Sequence, residues 1–219
     1  MTVFNKQNLR GQTRKDGAVS ALEQPFSQWP IILPEYVLMC TDADNTVRWQ
    51  PGERLHHLFE QRCEQLIATG DAEHIAVVGA DQSWTYVQLN ECANQCARYL
   101  LQLGFKAGDC IGLLFDKSVH SYIAMLAVLK IQAAYVPLDP AFPPERIAYM
   151  AADAKMRGIV TLERYAALPQ AAPVQVVYVD TAATAITAQA KSCLTIEETG
   201  KAVSELCYII YTSGSTGRP

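Results

Sequence analysis

The sequence predicts an α/β fold in which a mostly parallel sheet is flanked by helices. Two observations predict it. First, short continuous apolar runs have the make-up of strands buried on both faces: "CIGLLF" from Cys110, "AAYVPL" from Ala133, "RGIVT" from Arg157 and "VQVVYVD" from Val174. Second, the segments between several of these runs repeat apolar residues every three or four positions, the spacing of one helix face. Strands that alternate with helices point to a parallel sheet covered on its faces.

The bulk numbers agree. The chain has 219 residues, 50% of them hydrophobic and 18% charged, which suits a globular protein with a sizeable core. Its net charge of −4 argues against a nucleic-acid scaffold, which carries a basic face. No apolar run approaches the roughly 20 residues of a membrane-spanning helix. The polar start "MTVFNKQNLRGQTRKDG" lacks the apolar core of a secretory signal, so the expected location is cytoplasmic, with no membrane and no nucleic-acid partner.

Residues 1–51 read as an N-terminal extension or linker, and 52–219 as the folded domain. From Glu53, "ERLHHLFEQRCEQLIATG" predicts a helix with Leu55, Leu58, Phe59, Leu66 and Ile67 on its apolar face and Gly70 as its stop. "HIAVVGADQSWTY" predicts a strand, a turn and a second strand, with Trp84 and Tyr86 on one side. The next helix carries Leu89, Ala93, Cys96, Leu100 and Leu103 in one stripe and ends at Gly104. After the strand at Cys110, Ser118 is placed to cap the helix "VHSYIAMLAVLK". "DPAFPP" is a rigid turn, and Pro144 suits the first position of "ERIAYMAADA". A short helix is expected between "RGIVT" and "VQVVYVD". Residues 181–200 read as a looser connection, and "ELCYIIYT" as the last strand.

The seven cysteines are scattered among apolar residues and read as reduced buried thiols. Cys92 and Cys96 would share a helix face, but no second pair offers metal-ligand spacing, so no metal site is expected. His56 and His57 are neighbours on a helix and should point to different sides. His74 and His120 show no evident partner. All four read as structural or solvated. Asp139, Glu145 and Arg146 belong to the turn and helix start that follow "AYVPL", and read as structural.

The stretch that carries chemistry is "YIIYTSGSTGRP", Tyr208 to Pro219. Small residues after an apolar strand let the backbone approach an anion, and successive N–H groups form a donor nest. Thr212, Ser213, Ser215 and Thr216 add hydroxyl donors, while Gly214 and Gly217 permit a tight loop. The run lacks the Gly-Lys-Ser/Thr of the common P-loop and the Gly-x-Gly-x-x-Gly of dinucleotide sites. A Gly/Ser linker is the competing reading, and the buried-strand signature "CYIIY" immediately before the loop weighs against it.

These residues resemble the phosphate loop of adenylate-forming enzymes (acyl-CoA synthetases, luciferases and nonribosomal peptide adenylation domains). "LKIQAAYVPLDPAFPPERIAYMAADA", "WTYVQLNECANQCARYL" and "LHHLFEQR" are similar, in the same order, to segments of amino-acid adenylation domains. The resemblance covers roughly residues 53 to 219. Gln88 departs from the usual Glu, and Ile131-Gln132-Ala133 from a usual Lys-Ala-Gly run.

The resemblance implies the N-terminal portion of the large subdomain of such an enzyme, truncated at the phosphate loop. It implies an ATP-dependent ligase that joins an amino acid to AMP with Mg²⁺ and passes it to phosphopantetheine on a peptidyl carrier domain. Thr212, Ser213, Gly214, Ser215, Thr216 and Gly217 would hold the β- and γ-phosphates of ATP. The catalytic residues are expected beyond Pro219, so the chain alone is expected to be inactive. A complementary chain could supply the remainder. A non-catalytic nucleotide-binding or interaction module is the alternative of another class. An acyl-CoA synthetase fragment is a third, disfavoured by "AYVPLDPAFPPERI". An exposed apolar sheet edge beside the last strand is expected, and with it association or poor solubility.

Overall fold

The computed structural model describes residues 53–79 and 82–212. The extension expected over residues 1–51 lies outside them. Among the described residues, six strands and six α-helices follow in the order α1 (Leu55–Ala68), β1 (Ile75–Val78), β2 (Ser83–Thr85), α2 (Tyr86–Gln102), β3 (Cys110–Leu114), α3 (Val119–Lys130), β4 (Ala134–Leu138), α4 (Pro144–Asp153), β5 (Gly158–Thr161), β6 (Gln175–Tyr178), α5 (Ala183–Thr187) and α6 (Ile196–Thr199). Two 3₁₀ turns, Glu163–Tyr165 and Pro169–Ala171, stand where a short helix was expected.

The predicted sheet is present, in the order β4-β3-β5-β6, with every neighbouring pair parallel. Alternation along the strands divides two cores. Ile111, Leu113 and Val160 join Leu100, Phe105, Ala127 and Val128 beneath α2 and α3. Leu114, Val136, Leu138 and Ile159 join Ile147 and Met150 of α4 on the other face. Gly158 makes close approach possible at the start of β5. A Cβ there would lie 2.6 Å from the Phe105 ring and 2.7 Å from the Gln175 carbonyl oxygen.

α1 is where predicted, but its buried face differs. His56, Cys63 and Leu66 are buried, whereas Leu55, Leu58 and Ile67 are exposed. His56 turns inward because that side of α1 faces Lys130, the last residue of α3. Lys130 is only 2% exposed and is ion-paired with Glu60 of α1. The two histidine rings also meet, edge to face, with centroids 4.3 Å apart. His74 has the partner the sequence did not suggest, Asp71 at 2.9 Å.

β1 and β2 form the expected antiparallel pair, but Tyr86 belongs to α2. Thr85 decides this. Its hydroxyl accepts from the Gln88 N–H at 3.1 Å, and the Gln88 side-chain oxygen accepts from the Thr85 N–H at 3.0 Å. This reciprocal capping box starts a helix at Tyr86, and Gln serves it as Glu does. Ser118 sits at the cap of α3, yet its side chain makes no cap bond.

The connection after β6 is held more firmly than expected. Asn94 donates to the Lys191 carbonyl at 2.7 Å, and Gln95 to those of Thr187 and Gln189 at 2.8 and 2.9 Å. Arg98 bonds Glu198 and the carbonyls of Ala190, Ser192 and Cys193. One polar edge of α2 thus fastens residues 187–198.

Candidate active site at the carboxyl end of the sheet

Two connections diverge at the centre of the sheet. β3 leads to β4 on one side, and β5 leads to β6 on the other. Open α/β sheets place ligands in the crevice outside the carboxyl ends of strands at such a point. Here Arg164, just after β5, donates to Asp116, just after β3, at 2.7 Å across that crevice. A cavity of about 610 Å³ opens alongside, over the ends of β3 and β4.

Its walls are largely apolar, with Phe115, Tyr122, Pro137 and Ile210 among the lining residues. Lys117 also lines it, and its ammonium has no ion-pair partner among the described residues. Apolar walls with an unpaired cation suit a ligand that has an apolar part and a negative group. Asp116, Lys117 and Arg164 were not singled out from the sequence. Their signal was positional: charged residues immediately beyond buried strands.

The final described segment lies beside β4 and lines this cavity through Ile210 and Tyr211. The Tyr135 N–H donates to the Cys207 carbonyl, and the Ile209 N–H donates to the Tyr135 carbonyl, each at 3.0 Å. Tyr208 therefore forms a parallel bridge with β4, and the two rings lie 5.7 Å apart. "ELCYIIYT" is not a full strand: one bridge replaces the expected ladder. Val203, Leu206, Tyr208 and Ile210 are exposed. Beyond the bridge the Tyr211 hydroxyl donates to Asp153 at 2.5 Å. Burial, then that carboxylate, raises the Tyr211 pKa well above its ordinary value.

Because this segment runs parallel to β4, Thr212 emerges at the carboxyl end of the sheet, next to the lining residues Ile210 and Tyr211. Thr212 is exposed. Ser213, Gly214, Ser215, Thr216 and Gly217 lie outside the described residues.

The residues read as structural behave so. Asp139 closes the turn after β4 by accepting from the Ala141 N–H at 2.8 Å. Glu145 is in the first turn of α4, where a carboxylate suits the helix dipole. The Arg146 guanidinium lies 4.1 Å from the Phe142 ring centre. The described cysteines are free thiols, but only Cys63 and Cys96 are buried as expected and Cys193 is exposed; burial pushes Cys96 up to about 12 and Cys63 to about 11, far from a reactive thiolate. Among the described residues no cluster of His, Cys, Asp or Glu could hold a metal ion, and no helix is long and apolar enough to cross a membrane.

Residues 65–219 match the family model of the AMP-binding enzyme. Bacitracin synthase 1 of Bacillus licheniformis is 38% identical over 169 residues, which cover 77% of this chain and 3% of that protein. Tyrocidine synthase 2 of Brevibacillus parabrevis is 37% identical over 169 residues, covering 77% of this chain and 4% of that protein. The chain thus spans only a few per cent of the length of these relatives. The crystal structure of a nonribosomal peptide synthetase, FmoA3, in its α-methyl-L-serine-AMP-bound form, superposes with a TM-score of 0.65 at 24% identity. It covers 80% of this chain and 19% of that one, and it supports the fold.

Proposed function

The chain belongs to the AMP-binding enzyme family, and from that premise we propose that it is part of an amino-acid adenylation domain of nonribosomal peptide synthesis. In this reading residues 52–219 are an incomplete adenylation domain and residues 1–51 an extension or linker. The complete enzyme joins an amino-acid carboxylate to ATP, releases pyrophosphate, and passes the aminoacyl group to the phosphopantetheine thiol of a carrier domain. The work takes place in the cytoplasm.

One observation carries the assignment of the site. The bridge between Tyr208 and Tyr135 delivers Thr212 to the carboxyl end of the sheet beside the cavity. In the proposal Thr212, Ser213, Ser215 and Thr216 donate hydroxyl hydrogen bonds to the β- and γ-phosphates of ATP. Gly214 and Gly217 let backbone N–H groups close around them. Donors fixed before the reaction stabilise charge as it builds on the departing pyrophosphate. In the proposal Mg²⁺ enters with the nucleotide, bound mainly by phosphate oxygens and water. The substrate-reading and catalytic groups are assigned to the parts of the domain not in this chain.

Equilibrium dialysis of the 219-residue chain with labelled ATP and MgCl₂ tests the loop. Each lost hydroxyl bond weakens binding by about 1 kcal/mol, roughly fivefold, in Thr212→Val and Ser215→Ala. Binding that neither variant alters would remove the phosphate-loop assignment. Amino-acid-dependent exchange of pyrophosphate into ATP should be absent from the chain alone and present when it is joined to the remainder of an adenylation domain. Absence from the joined protein, with ATP still bound, would leave a nucleotide-binding module.

A further inference from the structure

A second cavity, of about 380 Å³, lies at the opposite end of β4 from the site above, among α1, the end of α3 and the α6 region. We propose that it is a binding site for a small hydroxylated organic anion, a phosphate ester or a carboxylate. The proposal does not rest on the adenylation reading.

Three features of the wall point to such a ligand. Arg54 and Lys201 line the cavity, and neither has an ion-pair partner among the described residues. The other lining cation, Lys130, is already neutralised by Glu60. The site therefore carries two uncompensated positive charges, which call for an anion.

His56 is the second feature. It is 4% exposed and lines the cavity, yet its ring nitrogens make no hydrogen bond among the described residues. The ring nitrogens are not sealed from solvent, so a ligand in the cavity can reach them. Burial, helped by His57 and the cations Lys130 and Arg54, lowers its pKa to about 3. The ring is neutral near pH 7 and offers one N–H donor and one acceptor nitrogen. An acceptor nitrogen needs a ligand O–H or N–H, which a bare oxyanion lacks.

Gln132 supplies the third. Its Oε1 is buried without a hydrogen-bond partner, and the residue lines the same cavity. Its backbone sits in the left-handed region, φ +61°, at the exit of α3. Glycine is favoured at such a helix exit. A long amide in that position is costly to the fold, and a turn of its side chain toward the cavity would let a ligand hydroxyl satisfy the unpaired oxygen.

Calorimetric titration of the full chain with glycerol 3-phosphate, D-glycerate and inorganic sulfate, an oxyanion without O–H at pH 7, tests this. Saturable binding of glycerol 3-phosphate or glycerate, tighter than that of sulfate, is expected, and which of the two binds identifies the oxyanion. Arg54→Gln and Lys201→Gln should each weaken it roughly fivefold to tenfold, and Arg164→Gln, at the other end of the sheet, should not. Gln132→Gly separates binding from folding: it should keep or raise Tm by relieving the left-handed residue, while weakening the ligand. No saturable binding, binding indifferent to Arg54→Gln and Lys201→Gln, or a preference for sulfate would overturn the proposal.

Discussion

The ion pair between Lys130 and Glu60 offers a prediction about asymmetry rather than mere loss. The Lys130 side chain is 1% exposed and that of Glu60 is 16% exposed. Glu60→Ala leaves an ammonium without its partner in a place almost without water. Stranding a buried charge in this way costs about 3–5 kcal/mol. Lys130→Met keeps the apolar stem packed between α1 and α3 and strands only a carboxylate that still reaches solvent, at a cost of about 1–2 kcal/mol. For a folded unit of this size each kcal/mol moves Tm by about 2–4 °C, so the two variants should differ by about 7 °C at the middle of these ranges and by about 2 °C at their narrowest. Urea melts followed by far-UV circular dichroism give the same comparison at constant temperature. The double variant should fall near Lys130→Met, because no charge is then left unpaired. If Lys130→Met proves equal to or worse than Glu60→Ala, differential burial does not control this pair, and lost packing of the lysine stem does.

Two further outcomes follow from local geometry. Thr85→Ala removes one half of the capping box and should cost about 1 kcal/mol, whereas Gln88→Glu keeps both bonds and should stay within about 0.5 kcal/mol of the parent; urea midpoints that rank the two the other way would dismiss the cap as the reason α2 begins at Tyr86. His56 has a folded-state pKa of about 3 against an ordinary 6.5. Since the folded form resists protonation, this group's contribution is complete above pH 6.5 and is lost as pH falls towards 3. Urea midpoints measured from pH 7 down to 4 should therefore fall less steeply in His56→Phe than in the parent, and parallel slopes would contradict the buried, neutral ring.

The central sheet was legible because parallel strands covered on both faces need nearly every residue apolar. "CIGLLF" and "AAYVPL" meet that need with little ambiguity. The turn chemistry was equally plain: Pro144 opens α4, and Gly70 and Gly104 take positive φ at helix ends. The failures share one physical origin. α1 was read by its leucines, but what lies opposite a helix decides its buried face, and here that is a lysine 70 residues away. Tyr86 alternates correctly for a strand, yet two hydrogen bonds at Thr85 override the pattern. Residues 181–200 have little periodicity, so nothing local reveals that Asn94, Gln95 and Arg98 hold them. Polar contacts between distant segments leave no period in a sequence.

The same distinction explains how far the site could be read. The proposed phosphate loop is a run of consecutive small residues, so Thr212 to Gly217 stand out in the sequence without a fold. A cavity wall is assembled from the ends of several elements. Lys117 follows β3, Asp139 follows β4, and Ile210 arrives through the bridge at Tyr208. None of these is unusual where it stands in the chain. Each gains meaning only when the strand order β4-β3-β5-β6 sets the diverging connections at β3 and β5, because that divergence opens the crevice. Strand order depends on which edge accepts each new strand, and the apolar pattern of a buried strand is the same at every position in a sheet. The loop is thus written in residue types, and its surroundings are written in topology.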